Sequence, residues 1–286
     1  MCIVLENKKS ININSILGKY DPTKTTTIRL AFMREIKKRF KKIISQVKEK
    51  LVEEDYLKLK TNQYSFPLSS DKMKGFMDWL GKLEEKELFR TVSFPGTRTG
   101  ISSQWTDKYI DFSYAKGIAR ARQEMISEGL EVPTLSEYSV QLSMKQPVHL
   151  DRIGIIYSRV FEDLKGITAA MDTQISRVLA DGMIQGLGPR DIAKSITEKI
   201  DAIGIGRATT LARTEVIRAH HLANINEYRQ YGVELVGVKA EWRTVGDGRV
   251  CELCAPRDGK IYSLDEIEPL IPLHPNCRCM AVPIVK

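Results

Sequence analysis

The chain has 286 residues, of which 42% are hydrophobic and 28% are charged. This length gives room for about two domains, each with a core of its own. No apolar run approaches the roughly 18 residues that a membrane span requires, which excludes a protein built on such a span. The net charge of +8 suits nucleic acid or another acidic partner, but moderate basicity identifies neither.

The first predicted features are an arm and a basic helix. Residues 1–24 are polar and rich in Asn and Lys, which predicts a flexible arm. From Thr27 to Leu51 apolar residues recur at steps of three and four, which predicts a helix with one buried stripe. The opposite side is rich in lysine, and two interpretations stay open: a solvated surface, or a contact for DNA or an acidic partner. This basic face comprises Lys37, Lys38, Lys41, Lys42 and Lys48.

Two more helices and a linker complete the N-terminal half. The helices are predicted over about 71–89 and about 105–128, on either side of a loop that contains Gly and Pro. Residues 130–148 contain two prolines and show no helical period, so we expect a linker there. These elements define a helical N-terminal domain over 25–145, followed by a second domain over 146–286.

The second domain is predicted to change from helix to strand. An apolar seam with alternating steps of three and four predicts a long helix over about 150–178, and shorter helices are expected over 191–200 and 207–231. β-favouring residues follow over 233–245 and again over 280–285. A small sheet is therefore expected only near the C-terminus.

Cysteine and histidine side chains are concentrated near that sheet. A Cys-x-x-Cys arm is followed about twenty residues later by a His-x-x-Cys-x-Cys arm, which is the spacing of a zinc ribbon. Thiolate and imidazole are preferred ligands of zinc. The Cys/His cluster comprises Cys251, Cys254, His274, Cys277 and Cys279.

Five candidate ligands compete for the four positions of a tetrahedral zinc ion. A site that protein ligands alone can close favours a structural Zn²⁺ bound by four of the five. A catalytic site keeps one position open and needs a nearby carboxylate, such as that of Asp247, and this interpretation stays open. The predicted fold class is therefore α+β, mostly helical in the N-terminal and middle region, with a small antiparallel sheet pinned by a zinc knuckle (251–279) in the C-terminal domain.

A second polar constellation lies on the helix predicted over 207–231. Glu215 and Arg218 are spaced to pair, and an adjacent pair of histidines can ligate a metal or move protons. We favour the alternative, a buried polar network that ties the helix to the sheet. Its candidate members are Arg213, Thr214, Glu215, Arg218, His221 and Asp247.

Four motifs occur in a fixed order along the C-terminal half. They are Ala-Arg-Thr-Glu at 212–215, Ala-Glu-Trp-Arg-Thr at 240–244, Gly-Asp-Gly-Arg-Val-Cys-x-x-Cys at 246–254 and Pro-Leu-His-Pro-Asn-Cys-Arg-Cys at 272–279. The series resembles the C-terminal domain of the phage Mu protein F-like family, the minor head or head-morphogenesis proteins of tailed phages and proviruses. With further motifs near Tyr109 and Phe161, the resemblance extends from about Trp105 to the C-terminus.

The resemblance implies a virion protein of the capsid interior or portal vertex, assembled in the host cytoplasm. Such a protein is expected to have no enzymatic activity, no small-molecule substrate and no membrane partner. The expected partners are the portal protein and capsid or scaffold proteins, which would face the domain over 25–145. Double-stranded DNA, contacted without sequence specificity during packaging or ejection, is a further candidate.

One alternative function is enzymatic. A zinc-bearing nuclease or a toxin-like nucleotide-modifying transferase would use Arg213, Glu215, His221 and Asp247. A regulatory DNA-binding zinc module is less favoured, because the sequence shows no recognisable helix-turn-helix or finger.

Overall fold

The structure is a computed structural model that describes residues 21–59, 68–91, 104–233 and 239–284. The arm predicted over 1–24 lies outside the described residues except for its last four positions. Within the described part, helices dominate and a three-stranded antiparallel sheet lies near the C-terminus, so the predicted α+β class is confirmed.

Four helices form the N-terminal half of the described chain. The first three lie within a few residues of their predicted bounds. The linker predicted over 130–148 is wrong in its second part, because Ser136 caps a short helix by accepting the backbone N–H of Ser139 at 3.2 Å. Eight residues offer too few periodic positions for the sequence pattern to reveal a helix. The helices are α1 (Thr26–Lys48), α2 (Leu68–Glu84), α3 (Asp107–Ser127) and α4 (Glu137–Met144).

Three further helices follow along the chain. Pro147 and Pro189 stand in the first turns of two of them, where a missing N–H removes no hydrogen bond. The predicted seam of the long helix is buried in the chain's own core, as Val160 and Ile175 illustrate. None of the described helices combines the length and apolarity that crossing a membrane requires. The helices are α5 (Pro147–Ile184), α6 (Pro189–Lys199) and α7 (Gly206–Tyr228).

The sheet is small and built around its middle strand. The first of the three strands along the chain lies in the middle and pairs with the other two in antiparallel fashion. Within the described part of the β-favouring run predicted over 233–245, Lys239–Arg243 form a strand, and 234–238 lie outside the described residues. A second strand and a one-turn helix between the two cysteine arms were not predicted. The elements are β1 (Lys239–Arg243), β2 (Ile261–Tyr262), α8 (Leu264–Ile267) and β3 (Met280–Ile284).

The main hydrophobic core continues across residue 146, where the predicted domain boundary lies. Phe40 from α1 and Ile118 from α3 belong to the same buried cluster as Ile175 and Val216 from α5 and α7. A second cluster joins the sheet and the Cys/His cluster to the ends of α3 and α7. Helices from both predicted domains therefore pack against one another in one core.

Helices α3 and α7 run in the same direction and approach closely. The Ser113 hydroxyl donates to the carbonyl of Val216 at 2.6 Å. One turn further on, a Cβ added to Gly117 would lie 2.7 Å from Cβ of Ala223 and would overlap the carbonyl oxygen of His220. Real Cβ atoms do not approach that closely, so only glycine permits this separation of the helices.

A buried ion pair continues the same interface. The guanidinium of Arg122 on α3 donates from Nε to Glu227 on α7 at 2.7 Å, and both side chains are fully buried. The remaining nitrogens of Arg122 donate to the carbonyl of Thr134 and to the hydroxyls of Ser139 and Ser143. Burial raises the pKa of Glu227, and Arg122 opposes that shift. This pair also fixes the chain segment before α4.

We expect Gly117→Ala to lower the free energy of unfolding by about 2 kcal/mol, because the added methyl group forces α3 and α7 apart. The matched control is Gly166→Ala on α5, where an added Cβ meets nothing within 4 Å. The control should keep or slightly raise stability, because Ala favours helix. Urea unfolding of both variants measures the difference, and equal stabilities would contradict the close approach.

Candidate metal centre

Two tight turns bring the cysteine arms together. In the first, the backbone N–H of Cys254 donates to the carbonyl of Cys251 at 3.0 Å. In the second, the N–H of Cys277 donates to the carbonyl of His274 at 3.1 Å. The first arm follows β1 and the second precedes β3, so the pairing of these strands sets the arms side by side.

The five side chains form two overlapping groups that can hold a metal ion. Nε2 of His274 lies 3.1 Å from Sγ of Cys251 and 3.2 Å from Sγ of Cys254. The sulfurs of Cys254, Cys277 and Cys279 lie within 4.8 Å of one another. Because a tetrahedral zinc ion holds its ligand atoms roughly 3.5 Å apart, this spacing suits such an ion. Cys254 belongs to both groups.

The ring of His274 is oriented by its own turn. Nδ1 lies 2.8 Å from the carbonyl oxygen of Pro275, so Nδ1 carries a proton and Nε2 faces the sulfurs. Burial acts to lower the pKa of His274, but the Pro275 carbonyl and the nearby charges of Cys277 and Cys251 raise it above its ordinary value. The imidazole is therefore held against thiolate neighbours.

The thiols have strongly different acidities. A hydrogen bond from the thiol of Cys279 is the main reason that the pKa of Cys277 is lowered to about 5. The same bond, together with burial, raises the pKa of Cys279. Burial raises the pKa of Cys254 to about 12. Crowded, buried thiols of this kind can exchange their protons for a metal ion.

A bidentate ion pair joins the second cysteine arm to the turn that precedes the first cysteine arm. Arg278 donates from its two Nη atoms to the two carboxylate oxygens of Asp247, at 2.7 and 2.8 Å. It also donates to the carbonyl of Arg249 at 3.1 Å. The hydrogen bonds from Arg278 hold the pKa of Asp247 well below its usual range. Asp247 therefore stays charged and engaged with the protein itself.

The second arm also contacts helix α7. The hydroxyl of Thr214 accepts the backbone N–H of Asn276 at 3.1 Å and donates to the carbonyl of Thr210 at 2.8 Å. Arg213 reaches the side-chain oxygen of Asn276 at 3.4 Å and the sulfur of Met33 on α1 at 3.1 Å. Asn276 has a φ of 62°, a left-handed conformation that asparagine tolerates better than most residues. Two of the sequence motifs thus meet in space.

Residues 173–282 match the family model described as Phage Mu protein F like protein. This part of the chain is similar to that family. The matched region begins inside α5, ends inside β3 and includes the Cys/His cluster, so the predicted family is confirmed there. The resemblance inferred for about 105–172 stays a prediction. No curated protein and no solved structure matches the chain.

Within the Mu F-like region, the candidate polar network divides into separate contacts. Glu215 is buried on α7 and accepts the Nε of Arg218 at 3.1 and 3.2 Å. It also accepts the Nε of Arg159 on α5 at 3.3 Å. Glu215 is therefore joined to α5, whereas Arg213 and Thr214 are joined to the second cysteine arm.

His221 belongs to a third contact of the Mu F-like region. Its Nε2 lies 3.2 Å from the carbonyl oxygens of both Ile267 and Glu268, beside the one-turn helix α8. Burial lowers the pKa of His221 to about 4, so the ring is neutral near pH 7. The neutral ring can donate its Nε2 proton to these carbonyls. The contact links α7 to the segment between the two arms.

The basic face lies on α1, outside the Mu F-like region. All five of its lysines are exposed, and the apolar side of the helix, including Phe40 and Ile43, is fully buried. Lys42 pairs with Glu87 at 3.3 Å. The described side chains that line an open groove along this face are Arg34, Lys37, Lys38, Lys41, Lys42 and Ser45.

Two residues that make contacts at the Cys/His cluster were not identified from the sequence, although both lie in the motif at 272–279. Arg278 is the partner of Asp247, and Asn276 is the residue that meets Thr214. A non-glycine residue at a left-handed position and an arginine between two cysteines give no local signal of their partners. Only the pairing of the arms reveals them.

Proposed function

We propose that the chain is a minor head or head-morphogenesis protein of a tailed phage or provirus, located in the virion at the capsid interior or portal vertex. The observation that carries this proposal is the match of residues 173–282 to the Phage Mu protein F like family model. The helices over 25–145 would face the portal, capsid or scaffold proteins. The Mu F-like region would serve as a rigid module that supports these helices.

A structural role without enzymatic activity is supported by how the candidate catalytic side chains are used. Glu215 is buried against two arginines, and Asp247 is held by Arg278. A general base or metal-activating carboxylate needs access to a substrate or to water. The toxin-like nuclease or transferase remains the alternative to test, and activity toward DNA or a nucleotide cofactor would favour it.

The first test is association with the portal. We expect the chain, expressed with the portal protein of the same genome, to co-purify with it and to co-sediment with procapsids. A portal protein from an unrelated phage is the control. Absence of the chain from portal complexes, procapsids and virions alike would reject the proposal.

We also propose that the Cys/His cluster binds one structural Zn²⁺. Its donors are four thiols and one imidazole, and any four of these five suit zinc and can close a tetrahedral site. The sheet around it has only three short strands, so metal binding would add folding energy there. When bound, the ion would link the two arms through its coordinate bonds.

We expect about one zinc per chain in freshly reduced protein. Chelation or Cys254→Ser should remove the metal and the cooperative unfolding of the sheet region, because Cys254 is shared by both ligand groups. Metal analysis with thermal unfolding followed by tryptophan emission measures both effects, since Trp242 is buried in the sheet. Cys2→Ser is the control, because that cysteine lies far along the sequence from the cluster. Metal-free wild-type protein with unchanged unfolding would remove the zinc proposal.

The basic face is proposed to contact the phosphate backbone of double-stranded DNA. Its cations recur at steps of three and four over residues 34 to 42, so they follow one side of the helix. Duplex DNA carries one charge per about 1.7 Å, so several of these side chains can each reach a phosphate. Such contacts carry no base information, so binding would be independent of sequence.

We expect Lys37→Glu with Lys41→Glu to weaken binding to duplex DNA and to lower the slope of log K against log salt by about 2. The control is Lys145→Glu with Lys194→Glu, which makes the same change in net charge at exposed positions on other parts of the chain. Fluorescence anisotropy over a salt series gives both slopes. Equal losses in the two double variants would indicate an effect of net charge alone.

A further inference from the structure

We infer that Glu84 on α2 and Asp172 on α5 share one proton, and that this shared proton holds the two helices together. The packing of α2 then depends on pH in the neutral and mildly alkaline range. Neither residue belongs to the Cys/His cluster or to the matched region 173–282.

The two carboxyl groups lie where α2 meets α5. Glu84 stands at the last position of α2 and is only 4% exposed, and Asp172 lies within the long helix α5. The two side chains are within hydrogen-bonding distance of each other. Further along the chain from Glu84, the ring of Phe89 packs edge-on against Phe161 of α5, with the ring centroids 5.7 Å apart. The two contacts together set α2 and its following turn against α5 in opposite directions.

The nearby cations of α1 are used by other acidic groups. Arg39 donates from Nε to Glu35 at 3.0 Å, and Lys42 pairs with Glu87, one turn beyond Glu84, at 3.3 Å. Within the described chain, no lysine or arginine forms an ion pair with Glu84, and the charged group that acts on it is the carboxyl of the pair on α5. The pair is therefore not neutralised by a cation of the protein.

Buried oxygens of the pair have no donor. Oε1 of Glu84 and Oδ1 of Asp172 are shielded from solvent and accept no hydrogen bond from the described residues. The hydroxyl of Thr168, one turn before Asp172, donates instead to the carbonyl of Lys165 at 2.9 Å. One proton on the pair makes one carboxyl group a donor and the other its acceptor. Two ionised carboxylates at this distance would repel each other.

The acidities agree with a retained proton. Burial, together with the charge of Asp172 and the hydrogen bond to it, raises the pKa of Glu84 to about 9. Burial also raises the pKa of Asp172. Near pH 7 the folded pair therefore keeps a proton that the unfolded chain has already lost. Because the folded state binds one more proton, stability falls as pH rises from the ordinary pKa of a glutamate towards about 9.

Loss of the proton acts on the packing of α2. Glu84 continues the stripe of Phe76, Leu80 and Leu83, which are buried in the main core. Two negative charges facing each other at the end of this stripe push α2 away from α5. Under the proposed function, α2 is one of the helices that face the partner proteins, so the proton determines how firmly a partner-facing helix is held.

The test is urea unfolding of the full chain over about pH 6 to pH 8. We expect the unfolding constant of the wild type to rise about tenfold per pH unit relative to that of Glu84→Gln, because the amide donates to Asp172 without titrating. The matched control is Glu85→Gln, which changes an exposed neighbour and should keep the wild-type dependence. Asp172→Asn should reduce the dependence, since its amide donates to Glu84, and it replaces Glu84→Gln if that variant does not fold.

The same dependence on pH in the wild type and in Glu84→Gln would overturn the shared proton. An undiminished dependence in Asp172→Asn would show that burial of Glu84 acts alone, and would also overturn it. A third arm adds millimolar Ca²⁺ or Mg²⁺ near the upper end of the pH range. Stabilisation of the wild type that Glu84→Gln lacks would assign a metal ion to the pair in place of the proton, whereas equal responses support the proton.

Discussion

The close, parallel packing of α3 on α7 is the contact on which the rest of the structure depends. Gly117 allows the backbones to approach, and the buried pair of Arg122 and Glu227 fixes their register. An uncompensated charge left by removing either partner of such a pair is costly, about 3–5 kcal/mol. Because α3 precedes the Mu F-like region and α7 lies within it, that region relies on a helix outside its own bounds.

Helix α7 also fixes the position of the segments near the C-terminus. Its Thr214 holds the second cysteine arm, and its His221 holds the segment before that arm. The sheet adds the first arm through the pairing of β1 with β3. The Cys/His cluster is therefore fixed from the helix on one side and from the sheet on the other, and the pair of Asp247 and Arg278 joins its two arms directly. A site held in this way suits a rigid structural clasp.

Charged side chains are used differently in the Mu F-like region and on the basic face of α1. The polar side chains of the Mu F-like region that were candidates for catalysis are directed at other protein groups. The five lysines of the basic face on α1 are instead exposed, because the opposite side of that helix packs against the core. The former candidates for catalysis are thus bound within the protein, whereas the lysines of the basic face point to solvent. This contrast is the physical basis for proposing assembly and DNA contact rather than catalysis.

The sequence by itself determined the long helices, the Cys/His cluster and the family. Helical periodicity persists over many turns in α1 and α5, and ligand spacing is a local property of the chain. Only the tertiary structure decided how His221 and Asp247 are used and that Glu215 also contacts Arg159, since these partners lie far away along the chain. It also revealed α4 and the core shared across residue 146, because an eight-residue helix and a helix–helix contact at Gly117 leave almost no periodic trace. Local sequence patterns predict the secondary structure of each segment, whereas the partner of each polar group depends on how distant segments pack.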